Sequence, residues 1–164
     1  MLTLSVAAAQ AQGRHEHGPH VHGHGTLNIA IEGSKVSMSL EVPGADIVGF
    51  EHKPKTDKQK AALVAAKAAL AAPLSLFVPP AEAGCKLVAS EVKFEVEGGD
   101  GHASFHATYA LSCGSVDKLS TLEFAYFGKF AKANEVEVQL IAPKGVSKYE
   151  VTRKARLIRL KGIN

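Results

Sequence analysis

Thr26-Leu-Asn-Ile-Ala-Ile-Glu-Gly-Ser-Lys-Val-Ser-Met-Ser-Leu-Glu-Val42 is the stretch that decides the fold. Leu27, Ile29 and Ile31 alternate with Asn28, Ala30 and Glu32 until Gly33-Ser34 breaks the run. Val36, Met38, Leu40 and Val42 then alternate with Lys35, Ser37, Ser39 and Glu41. Successive side chains on a strand point to opposite faces, so a period of two marks a strand with one face in the core. Two such runs around a short glycine-containing break predict a β-hairpin.

Pro43-Gly44 ends the second strand, and a short segment through His52 leads into Lys53-Pro54-Lys55. A helix is predicted from Thr56, whose side chain forms a capping box with Gln59 three residues on. Residues 61–72 are rich in alanine, the strongest helix former, with Leu63, Ala66 and Leu70 as the apolar stripe. Pro73 stops the helix because it lacks the N–H that the next turn needs. Residues 88–96 and 103–111 alternate again around Gly98-Gly-Asp-Gly101, a second hairpin that sets Phe94 opposite Phe105 and Glu97 opposite His102. That register leaves Cys85 and Cys113 one residue off exact opposition, so an irregularity in the strand would join them. Residues 120–130 read equally as a strand with a turn or as a short helix. Residues 135–141 alternate, Pro143-Lys144-Gly145 turns, and 155–160 reads as a last edge strand. The sum is an α+β domain: an antiparallel sheet or sandwich carrying one main Ala-rich helix behind a His-rich N-terminal lead-in.

The chain of 164 residues fits one domain, and 46% hydrophobic content is enough for a real core. A formal charge of +3, with no basic cluster interleaved with aromatics, argues against nucleic acid. The lysines and arginines between Lys144 and Lys161 read as charge guarding an exposed strand. Residues 1–11 read as the end of a signal peptide, an apolar run followed by Ala7-Ala-Ala9 or Ala9-Gln-Ala11 as small-x-small cleavage sites. No positive charge precedes that run, so the expectation places the true start upstream of Met1. No later stretch approaches a membrane span in length. Export into an oxidising compartment makes Cys85 and Cys113, the two cysteines, a disulfide rather than a thiolate pair for a metal.

Five of the eight histidines lie within ten residues, as His15-Glu-His17-Gly-Pro-His20-Val-His22-Gly-His24. Neutral imidazole is the commonest metal ligand and suits zinc, nickel and copper. In an extended backbone, residues i and i+2 share a side, which makes His15/His17 and His22/His24 candidate ligand pairs. Residues 12–25 are therefore read as a metal-binding segment and 26–164 as a single β-rich domain. The other three histidines are secondary candidates. His102 and His106 share the polar face of one strand, roughly 13 Å apart, too far to grip one ion together unless His102 sits on the bending turn; His102 with Glu97, or His102 joining the N-terminal run, is more economical. His52 follows Glu51 on a loop, where the couple can ligate a metal or orient another ligand. There is no His-Glu-x-x-His helix, Gly-x-Ser-x-Gly elbow or phosphate-binding glycine loop, so no enzyme is expected.

The residues also have a familiar order. His22-Gly-His-Gly-Thr-Leu-Asn-Ile-Ala-Ile-Glu-Gly33 is followed by Leu40-Glu-Val-Pro43 and Gly49-Phe-Glu-His-Lys-Pro54, then by Ala83-Gly-Cys85, His102-Ala-Ser-Phe-His106, Tyr109, Cys113 and Val138-Gln-Leu-Ile141. This resembles the ZrgA-type family of periplasmic proteins over nearly the whole chain from His15. The resemblance implies periplasmic zinc binding beside a zinc ABC transporter or another periplasmic protein, with His22/His24 and the His52 segment as family features. Similar proteins often carry a long His/Asp-rich insertion before the stretch matching His102; here only Gly98-Gly-Asp-Gly101 stands in its place. The leading expectation is an exported, non-catalytic protein that captures zinc through His20, His22 and His24, supported by His15, His17, His102 and His106. The competing one is an exported β-rich interaction domain that binds a protein through an exposed edge or the Pro79-Pro80 loop.

Overall fold

The structure, a computed structural model, describes residues 23–98 and 102–162. In chain order its elements are β1 (His24–Glu32), β2 (Lys35–Pro43), α1 (Gly44–Ile47), α2 (Asp57–Leu70), α3 (Pro73–Leu76), β3 (Phe77–Val78), β4 (Cys85–Glu97), β5 (His102–Cys113), β6 (Thr121–Phe124), α4 (Tyr126–Lys129), β7 (Glu135–Ala142), β8 (Gly145–Thr152) and β9 (Leu157–Arg159). Six strands form one sheet in the order β4-β5-β2-β1-β7-β8, and β3-β6-β9 form a second, smaller one. The fold is the α+β, sandwich-like class that the alternation predicts.

The first hairpin forms as read, with Leu27 opposite Leu40 and Ile29 opposite Met38. All four of those side chains are buried, while their polar alternates face outward. Between the two sheets the core gathers Ile29, Val36 and Met38 against Phe77, Leu119 and Leu122. Aromatic rings fill the end below the small sheet, where Phe77 meets Phe124 edge-on at 5.2 Å and Tyr126 meets Phe130 at 5.1 Å. Burying each such side chain contributes about 1.5–3 kcal/mol relative to exposure.

Helix α2 begins with the predicted capping box. Thr56 Oγ1 accepts from the Gln59 N–H, and Gln59 Oε1 accepts from the Thr56 N–H. Of its residues only Ala66 and Leu70 are buried, so the helix lies shallowly on the domain. The second hairpin also keeps its expected register, with Phe94 opposite Phe105 and Glu97 opposite His102. An irregularity between Leu87 and Ala89 brings Cys85 opposite Cys113, and the two are joined as a disulfide.

Three features depart from the sequence expectation. Residues 120–130 resolve as strand followed by helix, β6 then α4, because the apolar period changes at Ala125. Strand β8 lies within a charged stretch and pairs along β7, from Ala142 opposite Gly145 to Glu135 opposite Thr152. The large sheet is not wholly antiparallel, since β1 and β7 run parallel with His24 in register with Glu135. A parallel pair needs a long crossover, and here most of the chain supplies it. That pairing positions the candidate site.

Candidate metal centre

The histidine run enters the described fold at Gly23, which is held from both sides. Its N–H donates to the Asp46 carboxylate, with both oxygens at 2.9 Å. Its carbonyl accepts from the Asn134 and Glu135 N–H groups, also at 2.9 Å each. Asp46 is only 5% exposed, so the bond stands in a shielded environment and is of the stronger, charge-assisted kind. Gly23 has φ of +86°, and a Cβ there would lie 2.6 Å from Asn134 Nδ2, so both backbone shape and space require glycine. This φ is not that of extended backbone, so the same-side argument for His22 and His24 does not carry across Gly23. Four of the expected ligands, His15, His17, His20 and His22, lie outside the described residues.

His24 opens β1 on the outer face of the sheet. Its Nδ1 lies 3.5 Å from Glu135 Oε1, with the histidine 48% and the glutamate 26% exposed. Beside them is an open depression of about 220 Å³ lined by Glu135, Glu137, Glu150, Lys148 and Tyr149.

The remaining histidines cluster around the β4–β5 hairpin without converging. His102 Nδ1 lies 3.5 Å from Glu51 Oε2. His106 stands between two strands' carboxylates, with Nδ1 3.9 Å from Glu41 Oε2 and Nε2 3.9 Å from Glu95 Oε2. His52 Nδ1 lies 2.8 Å from the Lys53 carbonyl, which can only accept, so Nδ1 is the donor in that bond. The His52 ring stacks on Phe50 at 5.2 Å, and Phe50 meets Phe94 edge-on at 6.2 Å. The Gly49–Pro54 segment thus pins the corner after α1 against β4, and Glu51 reaches across to His102.

Among the described residues, no three His, Cys, Asp or Glu side chains come together to hold an ion. The cysteines are bonded to each other, which removes the thiolate alternative. What the structure adds is a carboxylate partner for three of the four described histidines: Glu135 for His24, Glu51 for His102, and Glu41 with Glu95 for His106. Imidazole nitrogen with carboxylate oxygen is a donor set that suits zinc. Sequence reasoning missed Glu135, Glu41, Glu95 and Asp46 because each meets its partner through strand pairing or a corner. The sequence marks two carboxylates, Glu51 beside His52 and Glu97 opposite His102; Glu97 keeps that register, while the carboxylate 3.5 Å from the His102 ring is that of Glu51.

Asp46 also acts on the core beneath it. The Tyr126 hydroxyl is pushed well above the ordinary phenol value, first by burial, then by the negative charge of Asp46 and by the charge Tyr109 would carry if ionised. Burial alone pushes Tyr109 up as well, and its hydroxyl finds no hydrogen-bond partner among the described residues.

No curated protein matches this sequence. A family profile does, that of the ZrgA family zinc uptake protein, over residues 19–160. The match takes in the end of the histidine run, both hairpins, the disulfide and the small sheet. The chain belongs to the ZrgA family of zinc uptake proteins.

Proposed function

We propose that this chain is an exported, non-catalytic zinc carrier of the periplasm, which captures the ion through its N-terminal histidines and supports its uptake. The observation that carries the reading is the joining of the histidine run to the fold. Within the run, Gly23 is clamped between Asp46 and the start of β7, and the run's last histidine, His24, stands beside a glutamate. Membership of a zinc uptake family supports zinc as the cargo. The disulfide suits an oxidising compartment.

Capture works by proton competition. Imidazole must be neutral to ligate, so the run's histidines bind zinc near neutrality and give it up as protons replace it. A partner that takes the ion onward, such as a zinc ABC transporter, would draw on this reversibility. Zinc affinity measured by chelator competition should fall steeply on acidification below about pH 6. An affinity that stays level across that range would refute the reading.

A further inference from the structure

Residues 124–134 and 151–164 hold seven lysines and arginines and no aspartate or glutamate. Arg153 joins the two segments. Its Nη2 donates to the Phe130 carbonyl at 2.9 Å, its backbone N–H donates to the Asn134 carbonyl at 3.3 Å, and its guanidinium lies 5.9 Å from the centre of the Phe127 ring. Arg156 is held in turn, its Nε donating to the Arg153 carbonyl at 2.8 Å. Lys129 and Lys132 lie within two residues of Phe130, Lys154 follows Arg153, and all three are exposed, as is Arg156. Among the described residues none of these five cations is joined to a carboxylate, whereas Lys60, Lys93 and Lys118 each stand 3.3–3.4 Å from one. Guarding an exposed strand accounts for Lys144 and Lys148 at β8 and for Arg159 on β9, both edge strands. Arg153, Lys154 and Arg156 lie in the connection between those strands, where no edge needs covering.

We propose that this end of the fold is a docking surface for the acidic face of a partner protein. Clustered cations with no carboxylate among them repel one another, and an anionic surface offsets that repulsion and steers the encounter. Arg153 and Arg156 are already held by their own bonds, so they lose little freedom on binding. Their planar guanidinium groups suit the forked geometry of carboxylates. A membrane surface would be gripped through inserted apolar side chains as well as charge. Of the large apolar side chains exposed on the described fold, only Leu157 falls within these two segments. The surface also adjoins the histidine run. Asn134 accepts from Arg153 through its carbonyl, and its N–H donates to the Gly23 carbonyl. A partner seated on the arginines therefore lies beside the point where the run enters the fold. The proposal goes beyond the zinc-capture reading and does not depend on it, because docking needs no metal.

The test uses the metal-free full chain and a fluorescein-labelled deca-glutamate peptide as the acidic probe, with binding read by anisotropy at low salt. Lys129→Gln, Lys132→Gln and Lys154→Gln together should weaken binding about 10-fold, the loss of three exposed ion pairs of ordinary strength. The same change at Lys35, Lys86 and Lys118, exposed lysines near the disulfide end of β5, removes equal charge and should leave affinity nearly unchanged. Arg156→Lys keeps the charge but loses the fork, and should also weaken binding. Carbodiimide, which couples a carboxylate to the lysine it touches, should link the peptide on the unaltered chain to Lys129, Lys132 or Lys154. No binding by the wild type, equal loss in the two triple variants, or coupling only to other lysines would each overturn the proposal. Tighter binding to vesicles of phosphatidylglycerol and phosphatidylethanolamine than to the peptide would overturn it too, by making the surface a membrane contact. A dimer in sedimentation that the Lys129, Lys132 and Lys154 variant loses would assign the surface to a second copy and overturn it as well. Because no zinc is present, failure here leaves the capture reading standing.

Discussion

Gly44 is where a single methyl group should be felt most. It opens α1 at the corner between the first hairpin and the Gly49–Pro54 segment. A Cβ there would lie 2.7 Å from the Phe50 carbonyl oxygen, 2.9 Å from the Ala103 carbonyl oxygen and 3.1 Å from Phe94 Cε2. The first two are backbone atoms, so no rotamer change relieves them, and either the corner or β5 must shift. Overpacking of this kind costs about 1–3 kcal/mol. Against it, Gly→Ala gains about 0.4–1 kcal/mol from the unfolded chain. The net expectation for Gly44→Ala is a loss of about 1–2 kcal/mol, or a fall in Tm of about 2–8 °C for a domain of this size. Urea denaturation followed by far-UV circular dichroism measures it, with the midpoint falling and the slope unchanged. A midpoint equal to or above wild type would refute the packing described for this corner.

The disulfide and the buried phenols give two further expectations. Replacing Cys85 and Cys113 together by alanine should cost about 3–4 kcal/mol by the chain-entropy estimate, read as a Tm lower by about 6–16 °C, and a shift under about 2 °C would contradict a structural bond. Tyr109 and Tyr126 are raised in the folded state, so their contribution to stability is complete below the unfolded phenol value, about pH 10, and is lost as pH rises through the folded values. In an alkaline titration these two phenols should ionise together with unfolding rather than before it; early, reversible ionisation of both would contradict their burial.

The parts of the fold legible in the sequence were those that local pattern encodes. Alternation fixed both hairpins, and because the side-chain period is two, the apolar faces also fixed their registers, down to the irregularity that lets Cys85 reach Cys113. The capping box placed the start of α2. Long-range pairing was not legible. Nothing local in residues 24–30 or 135–141 says that β1 and β7 lie side by side, yet that pairing sets Glu135 beside His24. The charges of residues 144–161 hid β8, whose outward positions are polar because one face meets water. The site followed the same division: its histidines were visible as a run, whereas the carboxylates that face them come from distant strands. His15, His17, His20 and His22 lie outside the described residues, so the sequence chemistry of the run still carries their part.

The most direct test of zinc capture by the run is a competitive calorimetric titration of zinc into the full chain beside a variant with His15, His17, His20 and His22 all replaced by glutamine. Substitution is preferable to deletion through Gly25, because Gly23 is clamped by Asp46 and β1 begins at His24. The account predicts tight zinc binding by the wild type and its loss in the variant, with the unfolding midpoint of the metal-free chains unchanged. Equal zinc affinity in the two chains would contradict it, and the metal role would then have to pass from the run to the domain.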